Sequence, residues 1–341
     1  MKTKTVAIMS GKGGSGKTSV CVTLSKILSL QNKKVLLIDG DTGTGGMTYY
    51  LGLNLVPNKK IGLFNYFIDH ILDYYKWIQQ FKDDNNIYFM GLGDHRMFNK
   101  RKTSNKMINI GDIFVELFKS ISLNVPEFDY ILIDCRGGID AETLTIVNSV
   151  DDIILIVEPD TTSFQASQFV SEVLTENDLG QKINGFIINK VFDNPEAVAR
   201  NGSGVFGGAF LGAIPFDLEA MRSFLVGDIP NRGSLYYNHI WKAFSNAFPE
   251  DIDSDYGYTL KKNEFNQTTI INPNAQIGNY VVGFLTVTIL VVFVTSRYLL
   301  LDNYGYFLSI VFYLLVLLNI SNFFKEKVGQ FLRKILNILR K

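Results

Sequence analysis

The stretch Gly11-Lys12-Gly13-Gly14-Ser15-Gly16-Lys17-Thr18-Ser19 has the residue types and spacing to hold phosphate. It satisfies GxxxxGK[ST], with a β-branched run before it and a helical-period segment after it. In such a loop the glycines let backbone N–H groups turn inward onto phosphate oxygens. Lys17 is expected to reach the β- and γ-phosphates, Thr18 to ligate Mg²⁺, and the following helix to present the positive end of its dipole. The expected ligands are therefore ATP and Mg²⁺. One lysine suffices for that chemistry, and Lys12, five residues ahead of Lys17, is surplus to it.

Two further segments supply carboxylates. The run Tyr130-Ile131-Leu132-Ile133 ends in Asp134, placed to hold a magnesium ion that keeps several of its waters. The segment Leu36-Leu37-Ile38-Asp39-Gly40-Asp41-Thr42-Gly43 ends in two acids followed by small residues. Asp39 is the candidate for the magnesium hydration shell, and Asp41 the candidate for orienting an attacking water.

The elements that must position these groups are legible as short apolar runs: Thr5 to Ser10, Val35 to Asp39, Ile87 to Met90, Tyr130 to Asp134, Ile153 to Val157 and Phe186 to Asn189. Runs apolar on both faces and separated by helical-period segments predict a doubly wound, mostly parallel α/β sheet over residues 1–250. The aromatic segment from Tyr66 to Trp77 is at helical spacing, and the Gly-rich stretch from Gly202 to Gly212 reads as a flexible loop. Two cysteines, Cys21 and Cys135, without a CxxC pair exclude a disulfide framework and suggest no zinc or iron–sulfur site. His70, His95 and His239 lack metal spacing. The N-terminus carries too short an apolar stretch for a signal peptide, and a reducing cytoplasm fits.

The 341 residues carry no net charge, but residues 1–250 are net −3 and residues 251–341 net +3. A slightly acidic α/β domain argues against nucleic acid as a partner, and the basic run Lys100, Arg101, Lys102 and Lys106 reads as a solvated loop. Residues 251–277 are polar and Asn-rich, as a linker is. The uncharged stretches Tyr280 to Ser296 and Tyr304 to Phe324, within residues 278–324, predict a transmembrane helical hairpin. Basic residues on both sides place the α/β domain and both termini in the cytoplasm, at the inner or plasma membrane. Residues 325–341 alternate apolar and basic positions at helical spacing, which suits an amphipathic tail on an anionic leaflet or a solvated basic flank.

The motifs KGGSGKTS, VLLIDGD and FDYILIDCRGGID, then Asn189-Lys190 and Gly212-Ala213-Ile214-Pro215-Phe216-Asp217, occur in an order that resembles the ParA/MinD family of P-loop ATPases over residues 1 to about 250. Lys12 matches that family's signature lysine. The resemblance implies a homodimer sandwiching two ATP molecules, with Lys12 reaching the nucleotide of the partner subunit. It also implies an adenine contact at Asn189 and a base pocket lined by backbone around Pro215 and Asp217. The segment after Asp134 is closer to MinD than to ParA, and departs from it at Arg136, where proline is usual. Together with the expected hairpin, the resemblance implies a membrane-anchored ATPase switch that positions, recruits or assembles an unknown protein partner at the inner face of the lipid bilayer. Two alternatives share related P-loop domains: a tyrosine kinase of polysaccharide export, whose hairpin and tyrosine cluster stand in another order, and a DNA-partitioning ATPase.

Overall fold

The computed structural model describes residues 3–52, 61–69, 74–93, 110–123, 128–192, 196–232 and 234–252. Its strands are β1 (Lys4–Ser10), β2 (Val35–Gly40), β3 (Gln79–Phe81), β4 (Asp84–Met90), β5 (Tyr130–Gly137), β6 (Asp152–Val157), β7 (Ile183–Val191) and β8 (Ala209–Pro215). They form one sheet in the order β3-β4-β2-β5-β1-β6-β7-β8. Every pairing is parallel except that of β3 with β4.

Period-2 side-chain alternation sorts the central strands onto two cores. Ala7, Met9, Leu36, Ile38, Ile131, Ile133, Ile153 and Leu155 face one layer, and Val6, Ile8, Val35, Leu37, Leu132, Ile154 and Ile156 face the other. The first layer is roofed by α3 (Leu63–Asp69), α4 (Ile110–Leu123), α5 (Ala141–Asn148), α6 (Thr161–Glu176) and α7 (Glu196–Val205). The second is roofed by α1 (Lys17–Leu30), α2 (Gly46–Leu51), α8 (Leu218–Leu225) and α9 (Leu235–Ala247). This is the doubly wound arrangement expected from the apolar runs, and it leaves the loops at the carboxyl ends of the strands free to build a site.

Local chemistry sets the helix starts. Asp140, Asp160 and Asp217 cap α5, α6 and α8, accepting from the backbone N–H of Thr143, of Ser163, and of Glu219 and Ala220 respectively. Ser234 does the same for α9 through the N–H of Tyr237.

The stretch Gly202 to Gly212 is not the flexible loop expected from its composition. Its first residues complete α7, and its last begin β8. Glycine serves close approach there: a side chain at Gly202 would come within 2.8 Å of the Phe186 ring. The segment from Tyr66 to Trp77 is helical in α3 and forms a short 3₁₀ turn at Tyr74–Trp77, with Tyr74 buried. Cys21 and Cys135 are free and buried, in keeping with a packing role.

The expected hairpin, tail, most of the linker, His70, His95 and the basic run from Lys100 to Lys106 lie outside the described residues. Among the described residues no helix is long and apolar enough to cross a membrane.

At the end opposite the glycine-rich loop, the amino ends of the strands hold Asp251. Lys33 Nζ donates to its Oδ1 at 2.8 Å, the Tyr130 hydroxyl donates to its Oδ2 at 2.6 Å, and Lys4 Nζ lies 3.5 Å away. These partners hold the Asp251 carboxyl below its ordinary range although burial opposes them. Ile252 is buried beside it. Truncation by Asp251→Ala strips partners from a half-buried lysine and a buried phenol. It is expected to cost about 1–3 kcal/mol, read as an earlier midpoint with an unchanged slope in urea unfolding.

Candidate functional site

The sheet gathers the sequence-predicted residues at its carboxyl edge. β1 ends at Ser10 and the chain turns through Gly11–Gly16 into α1. Gly16 has φ 91°, and a Cβ there would lie 2.3 Å from the Asn189 amide nitrogen, so only glycine fits. Inside the turn, Lys17 is 7 % exposed. Its Nζ donates to Ser10 Oγ at 2.8 Å and to the Lys12 carbonyl at 3.4 Å. Burial lowers its pKa from the ordinary lysine value, with Asp134 opposing. A buried ammonium with only neutral hydrogen-bond partners is a strong anion receptor.

Strand register places the carboxylates. Asp39 of β2 is paired directly with Asp134 of β5. Both are buried. Thr18 Oγ1 donates to Asp134 Oδ2 at 2.5 Å, whereas Asp134 Oδ1 is buried with no partner. Asp39 Oδ2 accepts from the backbone N–H of Thr48 at 2.8 Å and from its hydroxyl at 2.5 Å. Burial pushes Asp39 up to about 6. Burial and the neighbouring Asp39 push Asp134 up to about 7. An orphaned carboxylate oxygen beside a second carboxylate and a threonine hydroxyl is an all-oxygen donor set that suits a hard divalent cation. Among the described residues no cluster of three or more His, Cys, Asp or Glu forms, so such an ion would draw its other donors from water and phosphate.

The Asp41 carboxylate is engaged by its own loop. Its Oδ1 accepts from the backbone N–H of Gly43 at 3.2 Å and of Thr44 at 3.1 Å, and its Oδ2 from the Thr44 hydroxyl. The loop after β2 is thereby closed on itself. Thr42 ties it to α5 by donating to Glu142 at 3.0 Å.

A cavity of about 350 Å³ opens beside the glycine-rich loop, lined by Gly14, Gly16, Ser19, Asn189, Pro215 and Asp217 together with Phe216, Met221 and Tyr236. The residues carried over for the base thus converge with the phosphate loop in one cleft. Asn189 is buried, and its amide nitrogen donates to the Ser15 carbonyl at 2.8 Å while its Oδ1 has no partner. The Asp217 carboxylate is consumed by capping α8 and by the Tyr236 N–H at 3.1 Å.

A family model described as an AAA domain matches residues 3–184. The septum site-determining protein MinD of Synechocystis is 29% identical over 204 residues, covering 58% of this chain and 67% of that protein. The chloroplastic MinD homologue of Arabidopsis thaliana is 25% identical over 229 residues, covering 64% and 65%. MinD of Pyrococcus horikoshii, solved with Mg-ADP, superposes with a TM-score of 0.58 at 26% identity over 71% of this chain and 94% of that one. The chain belongs to the AAA-domain family of ParA/MinD-like P-loop ATPases.

Within this ATPase fold Lys12 stands apart from Lys17. Its amine lies 2.9 Å from Asp160 and 3.1 Å from Glu158, at the carboxyl end of β6 and the start of α6. The hydrogen bond that its ammonium donates to Asp160 raises its pKa. Glu158 also accepts from Lys190 at 2.8 Å, and Lys190 reaches the Gly14 carbonyl as well. Sequence reasoning did not find Glu158, Asp160 or Lys190 as site residues. The run Val157-Glu158-Pro159-Asp160 carries the available signal, another buried strand ending in acids. Arg136 is half-exposed, 3.6 Å from Asp140, and its guanidinium packs against Gly43 of the Asp41 loop.

The paired carboxylates give the metal-free protein a characteristic pH response. Their folded pKa values are raised to about 6 and about 7, so the folded state binds protons that the unfolded chain has already released. The resulting stability is full below the unfolded value of about 4. It is lost as pH rises through about 6 to 7. In EDTA, the melting temperature is expected to fall between pH 5 and pH 8. The Asp134→Asn protein should lose the share of that slope due to Asp134, keep the share due to the buried Asp39, and melt higher than wild type at pH 8, while failing to gain stability from Mg-ATP. A flat wild-type profile would contradict this account.

Proposed function

We propose that this ATPase is a membrane-anchored switch, in which ATP-dependent dimerisation and Mg²⁺-dependent hydrolysis position or recruit a protein partner at the cytoplasmic face of the membrane. The observation that carries the reading is the unequal disposition of the two lysines. Lys17 is buried where a subunit's own phosphates would lie, whereas Lys12 is at the rim, held only by the partly exposed acids Glu158 and Asp160. Exposed ion pairs of that kind are worth about 0–1 kcal/mol each, so the amine is released at little cost when a second copy brings its own phosphates.

The remaining roles follow from position. Thr18, Asp134 and Asp39 supply the oxygens that would hold Mg²⁺, which when bound neutralises phosphate charge as a Lewis acid. Lys17 adds fixed positive charge at the transferred phosphoryl group. Asp41 is held within the loop after β2 by Gly43 and Thr44, and reorganising that loop would free its carboxylate to orient water or take its proton. Asn189 and the backbone at Pro215 and Asp217 would locate the base. The membrane part of the reading is supported by the uncharged stretches Tyr280 to Ser296 and Tyr304 to Phe324 and by their basic flanks. The relatives named as septum site-determining proteins support a role in positioning.

Two experiments on the full chain test the reading. In detergent, Lys17→Ala should abolish ATP binding. Lys12→Ala should bind ATP within about threefold of wild type, stay monomeric in light scattering and hydrolyse about 10²-fold more slowly. Dimerisation of the Lys12→Ala protein with ATP, to the wild-type extent, would remove the role in trans. Alkaline extraction of cell membranes should leave the protein in the pellet, and recovery in the supernatant would refute the anchor.

A further inference from the structure

Arg136 stands where two loops of the site meet. β5 pairs with β2 through Asp134 with Asp39 and Cys135 with Gly40, so Arg136 and Asp41 are the next residues along the two strands. On its other edge β5 carries an extra residue, because Ile8 pairs with Asp134 but Ser10 pairs with Gly137. A bulge of this kind re-aims the side chains it bears. The turn behind Arg136 is fixed: a Cβ on Gly137 would lie 2.5 Å from the Gly13 nitrogen, and the Gly138 N–H donates to the Ser10 carbonyl at 2.9 Å. The backbone of Arg136 is thus anchored against the glycine-rich loop, while its side chain is 55 % exposed.

The guanidinium lies on the Asp41 loop. A Cβ on Gly43 would meet Arg136 Cζ at 3.6 Å and Asp41 Oδ1 at 3.5 Å, so cation and carboxylate flank the same glycine. The ion pair of Arg136 Nη1 with Asp140 is long at 3.6 Å, and Asp140 already caps α5 through its other oxygen. An exposed pair of that length holds the guanidinium weakly. Asp41 in turn rests on neutral donors, the N–H groups of Gly43 and Thr44 and the Thr44 hydroxyl. Opening the loop strips these donors from a carboxylate that has a cation beside it. Hydrogen bonds to a guanidinium are about twice as strong as neutral ones, so Arg136 offsets the loss.

Building on the nucleotide reading above, we propose that Arg136 is a positioning residue for hydrolysis: when the loop after β2 releases Asp41, the guanidinium takes one carboxylate oxygen and leaves the other to orient water. In the step that follows, the water oxygen bonds to the γ-phosphorus. The bond from phosphorus to the β,γ-bridging oxygen breaks with its electron pair going to ADP, and the water proton passes to Asp41 or to a phosphate oxygen. Arg136 acts through Asp41 and touches neither ATP nor the water.

Single-turnover hydrolysis and equilibrium binding of Mg-ATP, measured on the full chain in detergent, separate rate from affinity. Arg136→Ala should slow hydrolysis by about tenfold or more and leave ATP affinity within about twofold of wild type. Arg136→Lys, which keeps the charge but not the planar fork, should recover part of the rate, and Arg136→Gln should recover none. In an Asp41→Ala background, Arg136→Ala should cost nothing further, because the two residues act as a unit. An unchanged rate in Arg136→Ala overturns the proposal, as does a loss that adds in full to that of Asp41→Ala. Weakened ATP binding at an unchanged rate would make Arg136 a phosphate contact, and loss of ATP-dependent self-association would make it a contact between copies; either result also overturns it. Wild-type protein that binds no Mg-ATP would defeat the nucleotide reading itself, whereas wild type that binds and hydrolyses ATP with no dependence on Arg136 defeats this proposal alone.

Discussion

Two carboxylates stand side by side at the end of a parallel sheet, and much of the site can be read as a response to that fact. Asp39 and Asp134 are paired across β2 and β5 with almost no access to water. Like charges so placed repel, and burial alone disfavours either one being ionised. Thr18 and Thr48 each give a hydroxyl, and Lys17 lies close enough to favour ionisation of Asp134, yet Asp134 Oδ1 is left without a partner. The arrangement is unfavourable without a cation and becomes favourable with one. Stability given up at this edge of the sheet is recovered as differential affinity for a magnesium–triphosphate complex.

The same edge shows why one phosphate loop carries two lysines with different surroundings. Lys17 is enclosed by the turn that bears it and loses hydration in exchange for a fixed position. Lys12 belongs to the same nine residues but points to the start of α6, where Asp160 already serves as the helix cap. Glu158 bridges Lys12 and Lys190, so three segments distant in sequence are held by charges that remain in reach of solvent. Fixed charge inside and exchangeable charge outside distinguish the two lysines of one loop.

Much of this was legible in the chain itself. Strands apolar on both faces announced a parallel sheet, and acids at their carboxyl ends announced where the chemistry sits, because a buried run has no other reason to end in aspartate. β3 and β8 were not legible. Gln79–Phe81 is too short to show a period, and Ala209–Pro215 lies among glycines, Gly202 before it and Gly212 within it, whose role is packing against Phe186 and Ala243 rather than flexibility. Nor could composition find Glu158 and Asp160 opposite Lys12, about 150 residues away in sequence. That proximity is made by the β1–β6 register, a tertiary fact. The Asp217 carboxylate is a similar case: it is consumed by a cap and by the Tyr236 N–H, and neither role is visible from the Pro-Phe-Asp sequence alone.

The grip on Asp251 has a mechanical meaning. Its three holders sit at the starts of β1 and β5 and just before β2, the strands whose other ends carry Ser10, Asp134 and Asp39. Tension applied to the chain beyond residue 252 therefore enters the domain at the pole farthest from the nucleotide loops. It is shared among three central strands lying parallel in the middle of the sheet, a geometry in which hydrogen bonds are loaded together in shear rather than peeled one at a time. A pull on the chain after residue 252 thus acts on the sheet at its amino end, while Asp39, Asp134 and the glycine-rich loop stand at the other.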